Sequence, residues 1–204
     1  MSRLRIAPIV EGHGEYEAIR TLLWRIWVDL IGGEHVEVIR PIRKPRSKLV
    51  KKEELGRAVE LAVAKLRVGT VCADHALVLV LVDADKDPPC RLGPCLLQYA
   101  KDARSDADVC CVVANVEYET WFVAGAESLA DYLNLPSPQD IPLSPEELGV
   151  GKSWVEKYFR GTRYSETIDQ PRMTAKLDLE QCRSRSPSFD KLCRELEKRL
   201  ASTS

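Results

Sequence analysis

Six consecutive leucine and valine residues, Leu77 to Val82, constrain the fold of this chain more than any other stretch. A strand without a polar face must be covered on both sides, as a central strand of a parallel α/β sheet is. The run ends directly at Asp83, Asp85 and Asp87. Ligands of open α/β sheets bind beyond the carboxyl ends of the strands, so the acids lie where a functional site is expected.

The three aspartates occupy alternate positions, which in an extended segment places them on the same side of the chain. Closely spaced carboxylate oxygens suit a hard cation such as Mg²⁺ or Mn²⁺. A solvated acidic loop that caps the following helix would account for the same residues without a metal. The three acids by themselves leave both interpretations open.

The rest of the pattern predicts an α/β fold, a doubly wound and mainly parallel four-stranded sheet with helices on both faces. The other strands are expected at Leu4 to Val10, Glu34 to Pro41 and Asp108 to Asn115, with amphipathic helices between successive strands. We expect residues 1–125 to form this core. Residues 126–204 are expected to form a helical and loop extension packed on it, within one domain overall.

Acidic residues follow three of the predicted strands, and a parallel sheet brings them to one edge. Glu11 follows the first strand, and Glu117 and Glu119 follow the fourth. Two charges 4 Å apart repel by roughly 4 kcal/mol at an effective dielectric constant of about 20. A divalent cation is the simplest way to offset this repulsion, so the convergence favours a metal site.

One basic segment contrasts with the near-neutral charge of the whole chain, which is -1. Because this net charge does not attract nucleic acid, polyanion binding requires a local patch. Residues 40–52 contain no acid, and the residues predicted to contact nucleic acid are Arg40, Arg43, Lys44, Arg46 and Lys48. The odd number of cysteines and the lack of an apolar stretch of about 20 residues lead us to expect a cytoplasmic protein without membrane contact.

Two motifs carry a resemblance to a known group of proteins. Glu11-Gly12-x-Gly14-Glu15 after the first strand, together with Asp83-x-Asp85 after a central strand, resembles the Toprim domain of topoisomerases, primases and OLD-type nucleases. Asn115-x-Glu117-x-Glu119-x-Trp121-Phe122 and Lys176-Leu177-Asp178-Leu179 resemble a family of bacterial Toprim-like proteins, a domain of unknown function (DUF4276). The resemblance extends from about Arg5 to Leu200.

The resemblance implies roles for several of these residues. Glu11 would act as a general acid or base or as a metal ligand, and Asp83 and Asp85 would hold Mg²⁺ or Mn²⁺. Glu119 and Lys176 would be further catalytic residues. Together with the strand-end argument, this gives Glu11, Asp83, Asp85, Asp87 and Glu119 as predicted metal ligands.

Two functions remain open. The first is a metal-dependent nuclease of the Toprim and OLD type that acts on nucleic acid, with DNA as the expected substrate, within an ATPase-coupled anti-phage defence system. The second is a non-catalytic nucleic-acid-binding or regulatory partner of an ABC-type ATPase. Gly149-Val150-Gly151-Lys152-Ser153 departs from the phosphate-binding G-x-x-x-x-G-K pattern, so a separate chain would have to supply any ATPase.

Overall fold

The structure is a computed structural model that describes residues 3–68 and 75–201. Its strands are β1 (Arg3–Val10), β2 (His35–Val38), β3 (Ile42–Arg43), β4 (His75–Asp83) and β5 (Asp108–Ala114). Its α-helices are α1 (His13–Arg25), α2 (Arg46–Leu49), α3 (Lys52–Arg67), α4 (Pro89–Ala103), α5 (Glu119–Ala124), α6 (Pro145–Leu148), α7 (Lys152–Tyr158), α8 (Asp169–Thr174), α9 (Leu179–Arg185) and α10 (Pro187–Ala201). A π-helical turn, Ile26–Leu30, extends α1, and short 3₁₀ turns form at Ala126–Leu129 and Pro138–Asp140.

The strands form one parallel sheet in the order β2-β1-β4-β5, with β3 also paired to β1. The predicted α/β class with a parallel sheet is therefore confirmed. The count of four strands is wrong, because a fifth strand of two residues, β3, follows the second predicted strand, Glu34 to Pro41. β2 pairs with the start of β1 and β3 with its end. Pro41 lies between them, and proline has no backbone N–H to donate to the ladder.

β4 is covered on both faces, as its apolar run predicts. Leu77, Leu79 and Leu81 belong to a core shared with α1 and the carboxyl-terminal helices. The alternate residues, from Val78 to Val82, belong to a second core with α3 and α4. Burying an aliphatic side chain of this size contributes about 1.5–3 kcal/mol, so the strand is held firmly at the centre of the sheet.

The residues after β5 complete the first of these cores. Trp121 and Phe122 of α5 and Phe189 of α10 are fully buried in it, and rings of Trp121 and Phe189 meet edge to face. The core is thus continuous from the sheet into the segment after residue 125. Within the described residues, no helix has both the length and the apolar character needed to span a bilayer.

Candidate active site

The parallel register brings the ends of β1, β4 and β5 to one edge of the sheet. Ile9 is paired with Val80, and Asp83 is paired with Ala114. Glu11, two residues beyond Ile9, therefore reaches the end of β4, where its Oε2 accepts a hydrogen bond from the Asp83 N–H at 3.3 Å. Two of the predicted site residues are in direct contact.

Asp83 lies at the centre of a group of acids that we call the acid cluster: Glu11, Glu15, Asp83, Glu117 and Glu119. Its Oδ1 accepts a hydrogen bond from the Tyr118 N–H at 2.9 Å, which joins it to the start of α5. Burial raises the pKa of Asp83 well above its usual range, and the other four acids of the cluster raise it further. The mutual repulsion expected from the sequence is therefore a property of the folded site.

Glu15 is a member of the cluster to which the sequence argument gave no role. It lies in the first turn of α1, one helical turn beyond Glu11, and it is buried. Its Oε2 has no hydrogen-bond partner, and burial raises the pKa of its carboxyl group. Gly12 is needed beside it, because a Cβ atom there would collide with this carboxyl group. The sequence did contain one indication that Glu15 belongs to the site: it lies four residues after Glu11, at the start of a predicted helix.

The two acids after β5 have different surroundings. Glu117 Oε1 accepts a hydrogen bond from the backbone N–H of Lys152 at 2.5 Å, so it caps the start of α7. Glu119 is buried and accepts a hydrogen bond from the hydroxyl group of Tyr164 at 3.0 Å. Burial, with a contribution from Glu117, raises the pKa of Glu119 to about 7. Glu119 can therefore hold or release a proton near neutral pH.

Glu11 has the same capacity. Burial, with contributions from Glu15 and Asp85, raises its pKa to about 7, although the hydrogen bond from Asp83 and the charge of Arg46 act in the opposite direction. A carboxyl group with a pKa near the working pH is suited to exchange protons with a substrate or a water molecule. Two such groups lie on the same sheet edge.

Lys152 brings a positive charge to this region. Its Nζ pairs with Glu166 Oε1 at 2.5 Å, and this pairing and the charge of Glu119 raise the pKa of the lysine. Lys176, the lysine implied by the resemblance, is exposed and lies elsewhere. Arg25, in the last turn of α1, donates to the carbonyl groups of Thr174 and Leu177 on either side of it. The acid cluster lies at the opposite end of that helix.

Asp85 and Asp87 are each paired with Arg46. β4 ends at Asp83, and Asp85 has a left-handed backbone with φ of 50°. The alternation predicted from an extended segment therefore stops after Asp83. Arg46 Nε pairs with Asp85 Oδ2 at 2.8 Å, and Arg46 Nη2 pairs with Asp87. The same guanidinium group donates to the carbonyl oxygens of Asp83 at 2.7 Å and Ala84 at 3.0 Å.

Comparison with known proteins places the chain in a family. The sequence matches the family described as Domain of unknown function (DUF4276) over residues 10–197. The chain belongs to this family. No curated protein sequence matches it. Among solved structures, it is similar to the C-terminal region of the Burkholderia pseudomallei OLD protein, with 15% identity, 98% of each chain covered and a TM-score of 0.44.

The basic residues of this DUF4276 domain that were predicted to contact nucleic acid differ in their exposure and in their partners. Arg46 holds the loop after β4, and Lys44 pairs with Glu54 at 3.2 Å. Arg40 Nε donates to the Tyr16 hydroxyl group at 2.6 Å, and Arg43 and Lys48 are exposed. An open depression of about 500 Å³ beside the cluster is lined by Arg46, Asp85, Lys86, Asp87 and Val116. That the five basic residues predicted from the sequence bind nucleic acid stays a prediction.

The donor set of the DUF4276 site has the chemistry required by a hard cation, since every side chain in the cluster offers carboxylate oxygens. Glu15 Oε2 is a buried oxygen without a partner. Within the described residues, however, no three His, Cys, Asp or Glu side chains are arranged to hold a metal ion. Glu11, Glu15 and Asp83 have the right chemistry, and their side chains would have to turn toward a common point.

Proposed function

We propose that this protein is a divalent-cation-dependent nuclease whose site is the acid cluster. The observation that carries the proposal is the convergence of acids at the ends of three strands: Glu11 contacts the backbone of Asp83, and the Asp83 carboxylate contacts the start of α5 beside Glu117 and Glu119. Folding a chain so that five carboxyl groups crowd one sheet edge costs free energy, and carboxyl groups whose pKa values are shifted in this way are concentrated at functional sites. Clustered carboxylates are the ligands used by metal-dependent phosphodiester hydrolysis.

Each residue then has a defined task. Glu11, Glu15 and Asp83 would hold the ion, which when bound would neutralise these acids and polarise the phosphodiester group. Glu119, with a pKa of about 7, would hold or accept a proton near the reacting atoms. Lys152 would offset negative charge developing on the phosphate, since its ammonium group lies near Glu119.

The second candidate is a non-catalytic nucleic-acid-binding or regulatory module that acts with a separate ABC-type ATPase chain. The lack of a preformed three-residue metal site among the described residues favours it. A part in defence against phage DNA would suit either candidate and rests on the resemblance to OLD-type nucleases. DNA is the proposed substrate on the same basis.

The proposal is tested by incubating the purified chain with labelled single-stranded and duplex DNA and RNA in Mg²⁺, in Mn²⁺ and in a chelator. We expect cleavage with a metal and none with the chelator. Asp83→Asn and Glu15→Gln should each lower the cleavage rate by roughly a hundredfold or more, the scale of losing one group that stabilises the transition state. They should also weaken Mn²⁺ binding measured by calorimetry.

Glu34→Gln is the matched control, because Glu34 is exposed and precedes β2 at the opposite edge of the sheet. It should leave cleavage and Mn²⁺ affinity unchanged. Circular dichroism should show that Asp83→Asn is folded, since removing one charge relieves repulsion. Cleavage that persists in the chelator, or that Asp83→Asn leaves intact, would exclude the metal-dependent mechanism. Nucleic-acid binding without cleavage under any metal would favour the module.

A further inference from the structure

A groove runs along the outer face of α1, between that helix and the edge strand β2. Its volume is about 720 Å³. Val36 and Val38 of β2 line it from below, and Tyr16, Arg20 and Trp24 follow one another along α1 at intervals of four residues. The four-residue spacing places these three side chains on one face of the helix. The groove therefore has a defined wall and floor.

One end of the groove, at Tyr16, lies in the first turns of α1, close in the chain to Glu15 of the acid cluster. Tyr16 follows Glu15 in the chain, and its hydroxyl group accepts a hydrogen bond from Arg40 at the end of β2. Trp24 lies eight residues further along α1, about 12 Å away at 1.5 Å per residue. A strand lying in the groove would lead directly to the cluster.

The groove offers the two contacts that single-stranded nucleic acid uses. Trp24 is 48% exposed, whereas Trp27, Trp121 and Trp154 are buried. An exposed indole is a stacking surface for a base, and it is sequence-tolerant because every base has a π-face. A base within a duplex is already stacked on its neighbours, so this contact selects unpaired bases.

The charges in the groove also favour a phosphate backbone. Arg20 and Arg40 contribute two positive charges, and the hydrogen bond from Arg40 to the Tyr16 hydroxyl group holds Arg40 at the Tyr16 end of the groove. Of the two acids in the lining, Glu37 is paired with Arg5 at 2.9 Å. Glu17 opposes the arginines, which leaves a positive balance along the groove.

We propose that this groove binds the single-stranded part of a nucleic-acid substrate and guides it to the acid cluster. Trp24 stacks on a base, and Arg20 and Arg40 contact phosphate groups. That the bound strand is guided to the acid cluster rests on the proposed nuclease function. Binding of the strand in the groove does not require cleavage. It also differs from the nucleic-acid contacts predicted from the sequence, because Arg40 lines the groove and Arg43, Lys44, Arg46 and Lys48 do not.

The test uses the full chain in a chelator, so that binding is measured without cleavage. Titration with a short oligothymidine should quench tryptophan emission, because Trp24 is the tryptophan open to solvent. Trp24→Ala should weaken binding of a labelled oligothymidine, measured by anisotropy, by roughly tenfold, the effect of losing one stacked base. Trp24→Phe should retain most of the affinity while losing the quenching signal.

Arg20→Ala and Arg40→Ala should each weaken binding and reduce the slope of log affinity against log salt by about 0.7, the value for one phosphate of a single strand. Leu61→Ala and Arg57→Ala are the matched controls, since both residues are exposed on α3, which packs on the opposite face of the sheet. They should bind as the unmodified chain does.

The outcomes separate this proposal from the nuclease proposal. Oligothymidine binding that depends on Trp24, without cleavage in any metal, supports the groove and removes the nuclease. Cleavage that Trp24→Ala and Arg20→Ala leave unchanged, with no quenching, overturns the groove and retains the nuclease. Sedimentation in which Trp24→Ala converts a dimer into a monomer, with oligothymidine affinity unchanged, also overturns it, because the groove is then an interface between two copies.

Discussion

Two lysines, Lys152 and Lys176, are alternative candidates for the positively charged side chain that acts at the acid cluster. The resemblance implies Lys176, whereas the structure brings the ammonium group of Lys152 close enough for Glu119 to raise its pKa. The pairing of Lys152 with Glu166 fixes the position of the lysine side chain. A positive charge at this position lowers the cost of bringing a phosphate group next to carboxylates.

We therefore expect Lys152→Ala to lower kcat for metal-dependent cleavage by about ten- to a hundredfold, with a smaller change in KM. Lys152→Arg should restore part of the rate because it keeps the charge. Lys176→Ala, the matched substitution, should have a small effect. Steady-state kinetics on one labelled oligonucleotide would measure all three. If Lys176→Ala is the more damaging change, the role implied by the resemblance is correct and that of Lys152 is not.

Single residues show how far the sequence determines the site. Glu11 and Asp83 could be predicted, because each directly follows an apolar strand and parallel strands end at one edge. Glu15 required the structure, since its burial depends on how α1 packs. Asp85 was placed with Asp83 on the assumption of an extended chain, and its left-handed backbone turns it to Arg46 instead. Pattern arguments do not foresee a local backbone of this kind.

At the level of elements, Arg46 connects the start of α2 to the loop after β4. Its guanidinium group spans two backbone carbonyl oxygens and two carboxylates of that loop. A planar group with five N–H donors can bridge these acceptors at once, and a lysine cannot. Arg46 thus positions the segment that begins at Asp83. Its guanidinium group bonds to acceptors within the protein.

Arg46→Ala is expected to destabilise the protein by about 1–3 kcal/mol, because buried acceptors lose their donor. This corresponds to a decrease in Tm of roughly 2–10 °C for a chain of this size. Arg46→Lys should recover only part of the loss. Lys48→Ala, in the same short helix and exposed, should leave Tm unchanged. Nucleic-acid binding lost in Arg46→Ala without any change in Tm would identify Arg46 as a direct contact instead.

The strands and helices also differ in how well they can be predicted from their own sequences. β1, β4 and β5 have long apolar runs and were predicted close to their observed bounds. α8 and α9 have six and seven residues, too few to establish a helical repeat, and no helices were predicted there. α8 nevertheless brings the buried side chain of Gln170 to Glu15, where it partly offsets the rise that burial causes in the pKa of the Glu15 carboxyl group. Tertiary packing, rather than local sequence, determines such short helices.

For the whole molecule, the acid cluster makes stability depend on pH in a defined direction. The pKa values of Glu11 and Glu119 are about 7 in the folded protein and about 4.5 in an unfolded chain. Between these values the folded state binds more protons than the unfolded state, so stability falls as pH rises. Other acids act oppositely at lower pH: the pKa of Asp106 is lowered to about 2 by the Arg104 guanidinium group.

The chain should therefore be most stable near pH 4.5–5 without metal and lose stability as pH rises toward about 7, the folded-state pKa of Glu11 and Glu119. A scan of Tm against pH in a chelator would measure this. The double variant Glu11→Gln and Glu119→Gln should have a flatter profile in that window, and Glu180→Gln, which changes an exposed acid of α9, should follow the unmodified chain.

Mn²⁺ should raise Tm more at pH about 7.5 than at pH about 5, because a carboxyl group must lose its proton to become a ligand. A Tm that rises steadily from pH about 5 to 7 in the chelator, equally in the double variant, would mean that the cluster is not under electrostatic strain, and the argument for a metal at this edge would lose its basis.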